Sequence, residues 1–137
     1  MTLLLDTNAV VALVEQRNSE VSRLIRESAE WPTISLITIG ELLAGVSMAA
    51  TPEIALARRR TIRRTAQLLV HPIGRISMAT YADVRRSGLR GNDALVVTAA
   101  VELDARLVTF DQALATKAEQ LVNVSLLSSS TSMRDGS

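Results

Sequence analysis

Short apolar runs alternate along the chain with longer segments in which apolar residues recur every three or four positions. The runs are typical of strands buried on both faces, because their residues are continuously apolar. The longer segments are typical of helices, and Ser35 and Asn92 stand where helix caps are expected. This alternation predicts an α/β sandwich with a mainly parallel sheet. The predicted strands cover 3–5, 32–35, 69–73, 106–110 and 122–126, and the predicted helices cover 9–14, 20–29, 36–48, 52–69, 77–87, 93–104 and 112–119.

The composition predicts one folded domain. With 137 residues, of which 47% are hydrophobic, the chain can bury a sizeable core. No apolar run approaches the ~20 residues of a membrane helix, and the first residues lack the pattern of a signal peptide, so we expect a soluble cytoplasmic protein. The absence of cysteine excludes disulfides and thiolate chemistry. We expect the domain to cover 1–127 and a Ser-rich tail over 128–137 to be disordered.

Four acidic residues stand inside or at the edge of apolar runs, where carboxylates are uncommon. Asp6 follows the first predicted strand, and Asp111 follows the fourth. In an open parallel sheet both lie beyond the carboxyl ends of the strands, which is where ligands bind. Asp93 and Glu41 lie on helices, in rows whose other members are mostly apolar. We therefore expect both of these to face inward.

Four gathered carboxylates repel one another unless something neutralises them. The simplest neutraliser is a hard divalent cation, and such a cation would make the chain a metal-dependent phosphodiester enzyme. Structural roles compete with this interpretation, because Asp6 and Asp111 can cap helices and Asp93 can serve a helix dipole. Capping does not explain Glu41, which lies in the middle of a predicted helix.

The ordered set of motifs resembles the PIN-domain ribonucleases, and most closely the VapC-type toxins of bacterial toxin–antitoxin pairs. The resemblance extends from Leu3 to about Leu126. It is carried by Leu3-Leu4-Leu5-Asp6-Thr7-Asn8, by Ser35-Leu36-Ile37-Thr38-Ile39-Gly40-Glu41-Leu42-Leu43-Ala44-Gly45-Val46, by Asn92-Asp93-Ala94-Leu95-Val96-Val97-Thr98-Ala99-Ala100 and by Leu107-Val108-Thr109-Phe110-Asp111.

The resemblance implies a three-layer α/β/α sandwich around a five-stranded parallel sheet, and cleavage of RNA that depends on Mg²⁺ or Mn²⁺. It also implies a small VapB-like antitoxin as partner and a homodimer. The four catalytic acids that it implies are Asp6, Glu41, Asp93 and Asp111, with Asn8 and Thr109 in supporting positions.

Within this set of acids, we expect a division of roles. Asp6 and Asp93 would bind the metal directly, with Asp111 completing the metal site. Glu41 would orient or deprotonate the attacking water, and its apolar surroundings suit a general base.

The predicted helix over 52–69 carries five arginines within 58–64. The buried stripe that a helical wheel predicts for it consists of Ile54, Ile62, Ala66 and Leu69, with Arg58 close to that stripe. The other arginines either contact RNA phosphates or form an ordinary solvated face. Because the chain has one Phe, one Trp and one Tyr, base stacking cannot be its main means of recognition. The candidate RNA contacts are Arg59, Arg60, Arg63 and Arg64.

Two other functions fit parts of the sequence. A haloacid-dehalogenase-type phosphatase also has an Asp after its first strand, but its motif requires a second Asp where this chain has Asn8. The other alternative is a PIN-fold module that binds RNA or protein with weak or no catalysis, and the presence of all four acids argues against it.

Overall fold

The computed structural model describes residues 2–128, in which parallel strands form one five-stranded sheet. The strands are β1 (Leu3–Leu5), β2 (Pro32–Ser35), β3 (Leu69–His71), β4 (Arg106–Thr109) and β5 (Val124–Leu126). The helices are α1 (Thr7–Val14), α2 (Ser19–Ser28), α3 (Leu36–Ser47), α4 (Pro52–Arg64), α5 (Ser77–Arg85), α6 (Gly91–Leu103) and α7 (Gln112–Ala118). The strand order is β3-β2-β1-β4-β5. The predicted α/β class with a five-stranded parallel sheet is confirmed.

Helices cover both faces of the sheet and produce the three layers. Leu4 and Leu107 project into one core, which α5, α6 and α7 cover. Leu3, Leu5 and Val108 project into the other core, which α1, α2 and α3 cover. Because successive residues of a strand point to opposite faces, the three leucines of β1 serve both cores. This explains why the strand is continuously apolar.

The sheet extends from the central strand β1 on both sides. β2 and β3 extend the sheet on one side of β1, whereas β4 and β5 extend it on the other. The backbone N–H of Asp6 donates to the carbonyl of Val108 at 3.1 Å, so the ends of β1 and β4 lie side by side. In open parallel sheets, a crevice forms at the carboxyl ends of the strands where their order reverses. The residues that follow β1 and β4 therefore open onto the same crevice.

Every predicted helix differs from the observed one by one or two residues at one or both ends, and the end of α4 differs by more. The helix predicted over 52–69 ends at Arg64 and continues as a 3-10 turn, Thr65–Gln67, because the chain must become extended to enter β3. The prediction that Asn92 caps α6 is wrong, since that helix begins at Gly91. Ser35 does cap α3, where its hydroxyl accepts from a backbone N–H of the first turn at 3.1 Å.

The predicted buried stripe of α4 is also wrong. The buried side chains of the segment predicted as this helix are Thr61, in α4, and Thr65, in the 3-10 turn that follows. The hydroxyl of Thr61 donates to the carboxylate of Glu15, the residue that ends α1. A polar contact thus fixes the helix, and a search for apolar periodicity could not detect it. Of the predicted stripe, Ile62 is partly buried, and Ile54, Ala66 and Leu69 are exposed.

The C-terminal end of the described region contacts α2. The tail predicted over 128–137 lies, apart from Ser128, outside the described residues. The backbone N–H of Ser128 donates to Glu20 at 3.0 Å, so the chain after β5 returns to α2. None of the helices within residues 2–128 is long and apolar enough to span a bilayer.

Candidate active site

The crevice at the ends of β1 and β4 is lined by all four predicted acids. They reach it from separate parts of the chain: Asp6 follows β1, Glu41 lies in α3, Asp93 lies in the first turn of α6, and Asp111 follows β4. The cleft encloses about 240 Å³. The fold thus brings together four carboxylates that are distant in sequence. The remaining lining residues are Thr7, Asn8, Val96 and Leu114.

Asp6 is the buried member of the four acids, with 8% of its surface exposed. Its Oδ1 accepts a hydrogen bond from the backbone N–H of Ala9 at 3.0 Å and so caps α1. Its Oδ2 accepts a hydrogen bond from the hydroxyl of Thr109. The capping role that the sequence allowed is therefore present, but it does not account for the carboxylate's place among the other acids.

The surroundings of Asp6 oppose its ionisation. Burial raises the pKa of Asp6, the hydrogen bonds from Thr109 and Ala9 act in the opposite direction, and the charges of Asp111 and Asp93 raise it further. The net result is a pKa above the ordinary value of an aspartate. A perturbed carboxylate among like charges in a cleft is typical of a functional site.

The burial predicted for Asp93 is not found in the structure. Asp93, expected on a buried helix face, is exposed at the mouth of the cleft, because it lies ahead of the buried turns of α6. Partial desolvation raises the pKa of Asp93, the charges of Asp111 and Glu41 raise it further, and the charge of Lys117 lowers it. Asp6, which the sequence allowed to be only a cap, is the buried acid.

Two polar side chains hold Glu41 at the side of the cleft. The hydroxyl of Thr7 donates to its Oε1, and the amide of Asn92 donates to its Oε2 at 3.1 Å. The prediction of an inward, apolar face around Glu41 is wrong, since Ala44 is exposed and Met48 is 79% exposed. This face of α3 lines an open depression instead of the core. Hydrogen bonds, and not apolar burial, therefore orient Glu41.

Thr109 connects two of the acids. Its hydroxyl donates to Asp6 and accepts from the backbone N–H of Asp111 at 3.0 Å. Asp111 caps α7, where its Oδ1 accepts from the backbone N–H of Leu114 at 3.1 Å. It combines this cap with a place in the lining of the cleft. Asn8, the other predicted supporting residue, is exposed and lines the cleft.

Three polar residues near the acids were not among the predicted site residues. Thr7 directly follows the first acid and Asn92 directly precedes the third, so adjacency was the signal that could have found them. Lys117 is the only lysine of the chain, and its charge acts on Asp93. No motif marks this lysine, and only the fold brings it to the acids.

The candidate arginines of α4 lie on the exposed part of that helix, and among the described residues none of the four lines the acidic cleft. Arg64 pairs with Glu15 at 3.7 Å. Arg58, predicted near the buried stripe, extends instead to α3, where its Nη1 lies 2.5 Å from the carbonyl oxygen of Gly45. Contact between RNA and Arg59, Arg60, Arg63 or Arg64 stays a prediction.

The donors of the cleft fit a hard divalent cation in kind, but they are not gathered into a ready ligand set. Carboxylate oxygens suit both Mg²⁺ and Mn²⁺. Within residues 2–128, no group of three acidic or histidine side chains is arranged to hold an ion. Mg²⁺ usually keeps several water molecules and binds only one or two carboxylates directly. The four acids therefore suit a partly hydrated ion.

The fold and the cleft define a class: a three-layer α/β protein with an acidic site at the switch point of its sheet. A comparison with protein-family models matches residues 3–120 to the PIN domain. The chain belongs to the PIN domain family. A comparison with curated proteins gave no match.

Solved structures share this fold at low sequence identity. VapBC2 from Rickettsia felis, bound to a DNA fragment from its promoter, has a TM-score of 0.71 and 20% identity, covering 92% of this chain and 98% of that one. VapBC-5 from Mycobacterium tuberculosis has a TM-score of 0.68 and 21% identity, covering 93% and 98%. FitAcB from Neisseria gonorrhoeae has a TM-score of 0.68 and 22% identity, covering 89% and 95%. The likeness shows that the shared fold extends over nearly the whole chain.

Proposed function

We propose that this chain is a metal-dependent endoribonuclease and the toxin of a toxin–antitoxin pair. The observation that carries the proposal is the convergence of four carboxylates on one cleft, with the buried Asp6 among them. Membership of the PIN family supports it, as does the fold shared with the VapBC and FitAcB structures. A VapB-like antitoxin, a homodimer and a cytoplasmic location belong to the same proposal.

The metal would be held by three of the acids. Asp6 and Asp93 would bind Mg²⁺ or Mn²⁺ directly, and Asp111 would complete the site, partly through water. When bound, the cation would make a coordinated water more acidic and stabilise charge on the scissile phosphate. The raised pKa values of Asp6 and Asp93 favour this assignment, because a cation would offset both the burial and the repulsion that cause them.

Glu41 would act on the attacking water. Thr7 and Asn92 each donate to one of its oxygens, so the carboxylate has a fixed direction at the edge of the cleft. Each carboxylate oxygen has a second lone pair with which it can accept a proton or a hydrogen bond from water. Glu41 would therefore orient or deprotonate this water, as a general base does.

A brief pulse of expression in a bacterial host, followed by sequencing of RNA 5′ ends, tests this function. The matched variant is Asp93→Ala, since Asp93 is exposed and its removal leaves the core intact. We expect growth arrest and new, sequence-specific 5′ ends with the wild-type protein and neither with the variant. Unchanged growth and unchanged RNA ends with the wild-type protein would contradict the proposal.

A PIN-fold module that binds RNA or protein without cutting it is the second candidate. The helix caps formed by Asp6 and Asp111 favour it, because both are structural roles that need no metal. Calorimetric titration of Mn²⁺ into the wild-type protein and Asp6→Ala separates the two. The nuclease requires binding that the substitution abolishes, whereas no heat of binding to either protein would support the module.

A further inference from the structure

A groove of about 420 Å³ runs from the acidic cleft toward α4, and we name it the arginine groove. It shares Thr7, Asn8 and Glu41 with the lining of the cleft, so the two spaces are continuous. Its cationic side chains are Arg17 and Arg58. The side chain of Arg17 is 67% exposed. A ligand that extends from the acids in this direction therefore meets two guanidinium groups.

Local contacts hold both guanidinium groups in the wall of the arginine groove. Nη2 of Arg17 lies 3.5 Å from a carboxylate oxygen of Glu15. Nη1 of Arg58 donates to the carbonyl of Gly45. Each contact uses part of a fork that has five N–H donors, so donors remain for a ligand. Guanidinium groups held in this way suit the geometry of a phosphate.

A second depression, of about 240 Å³, adjoins the cleft along other lining residues, and we name it the lysine hollow. It shares Asp93, Asp111 and Leu114 with the lining of the cleft. Its cationic side chains are Arg90, in the loop before α6, and Lys117, in α7. The cleft thus adjoins two spaces that share different residues with it, and each space has two cations, from four different segments of the chain.

We propose that the arginine groove and the lysine hollow bind the phosphates on the two sides of the scissile bond, so that an RNA strand crosses the acidic cleft from one to the other. This inference rests on the proposed ribonuclease function and states how that site holds its substrate. Four carboxylates repel a phosphodiester backbone, and cations on both sides offset this repulsion where the strand enters and leaves. Because the net charge of the chain is only +1, the placement of cations must provide the attraction.

The salt dependence of RNA binding reports how many phosphates the protein neutralises. The probe is a short fluorescein-labelled single-stranded RNA, its binding is followed by fluorescence anisotropy with Ca²⁺ in place of Mg²⁺, and a gel confirms that it stays intact. The double variants are Arg17→Gln/Arg58→Gln and Arg90→Gln/Lys117→Gln. Binding weakens as salt rises, and every neutralised phosphate of a single strand makes the negative slope of log K against log salt steeper by about 0.7. We therefore expect each double variant to make this slope shallower by about 1.4.

Two further measurements keep this result interpretable. The control Arg23→Gln/Arg26→Gln removes the same charge from exposed positions on α2 and leaves the slope unchanged. Because Arg58 also contacts α3, the single variants Arg17→Gln and Lys117→Gln are measured as well. Both residues are exposed, so the fold tolerates the change, and each variant makes the slope shallower by about 0.7.

Shortened substrates separate two flanking sites from a general attraction. Once the cut is located, RNAs are truncated on its 5′ side or on its 3′ side, and KM is measured with Mg²⁺. With an RNA that lacks the phosphates on one side of the cut, we expect one double variant to have the same KM as the wild type. With the RNA truncated on the other side, we expect the same of the other double variant. If both lose their effect on the same RNA, the two-sided path is overturned.

The outcomes distinguish this inference from the function on which it rests. If the wild-type protein cuts RNA but both double variants keep the wild-type salt slope, the inference alone is overturned. These cations would then be candidates for contacts with a protein partner instead of RNA. A folded wild-type protein that neither binds nor cuts RNA overturns both.

Discussion

At the scale of single residues, Asp6 combines a structural role with a candidate catalytic one. It caps α1 through Oδ1 and accepts from Thr109 through Oδ2, yet it is buried beside two other acids. The fold therefore accepts a carboxyl group whose ionisation costs stability, in a place where a neutral residue would be more stable. Such a cost at a site is expected where function requires the charge.

We expect Asp6→Asn to stabilise the metal-free protein at neutral pH. The amide keeps the cap and can pair with Thr109, while the charge and its desolvation cost disappear. A gain of about 1 kcal/mol would raise Tm by about 4 °C in a domain of this size. Differential scanning fluorimetry in EDTA measures it, and added Mg²⁺ should raise Tm for the wild-type protein only.

The same substitution has a defined pH dependence. Because the folded-state pKa of Asp6 lies above its unfolded-state value, ionised Asp6 costs stability at all pH values above its folded-state pKa. The cost fades as the pH falls through that pKa and is gone below the unfolded-state value of about 3.9. The advantage of Asp6→Asn should therefore be larger at pH 7 than near pH 3, where it should vanish. An advantage that is the same at both pH values would contradict this account of Asp6.

A second residue-scale prediction concerns the contact between Thr7 and Glu41. In Thr7→Val, Glu41 loses the hydroxyl that donates to its Oε1. The cleavage rate at saturating RNA should therefore fall at least about tenfold, which is the size expected when a hydrogen bond to a charged group is removed. KM should change little, and Thr7→Ser should restore the rate. The control is Thr116→Val on the exposed part of α7. Full activity in Thr7→Val would show that Thr7 does not position Glu41 for the reaction.

Residue types and spacing located the four acids but not their environments. Asp6 and Asp111 could be placed because strand ends are readable from short apolar runs. The burial of Asp93 and Glu41 was predicted wrongly, because a helix row that is apolar in sequence faces the core only where another layer covers it. At the first turn of α6 and along this face of α3, no described element provides that cover.

At the scale of elements, α4 shows how a polar contact can replace an apolar stripe. Glu15, at the end of α1, accepts from Thr61 and lies 3.7 Å from Arg64, and both of these partners are on α4. The helical wheel placed the stripe on Ile54 and Leu69, which are exposed. Hydroxyl groups do not contribute to apolar periodicity, so no pattern of the sequence marked the correct face.

We expect Glu15→Ala to lower the free energy of unfolding by about 1–2 kcal/mol, because Thr61 loses a charged acceptor and Arg64 loses its partner. Urea denaturation followed by circular dichroism measures the change. Glu27→Ala, at an exposed position on α2, serves as control and should have an effect within about 0.5 kcal/mol. Equal stability of the two variants would show that α4 is held by other contacts.

At the scale of the whole molecule, the order of the strands creates the site. Since β1 is flanked by β2 and β4, the ends of β1 and β4 meet where the chain reverses its direction along the sheet, and the cleft opens there. Apolar patterning predicted the α/β class and the number of strands. It could not predict their order, because order depends on contacts between distant segments, and here the resemblance to a known family supplied the architecture.

The proposed function requires that the acids form a metal-dependent centre that cuts RNA. The most direct test measures the rate at which purified protein cleaves a labelled RNA, once with Mg²⁺ or Mn²⁺ and once with EDTA. The wild type and Glu41→Gln are compared, and circular dichroism shows that both are folded. We predict cleavage only with metal, and a rate for Glu41→Gln at least about 100-fold lower, as expected when a general base is removed. Equal cleavage in EDTA, or a wild-type rate in Glu41→Gln, would contradict the claim.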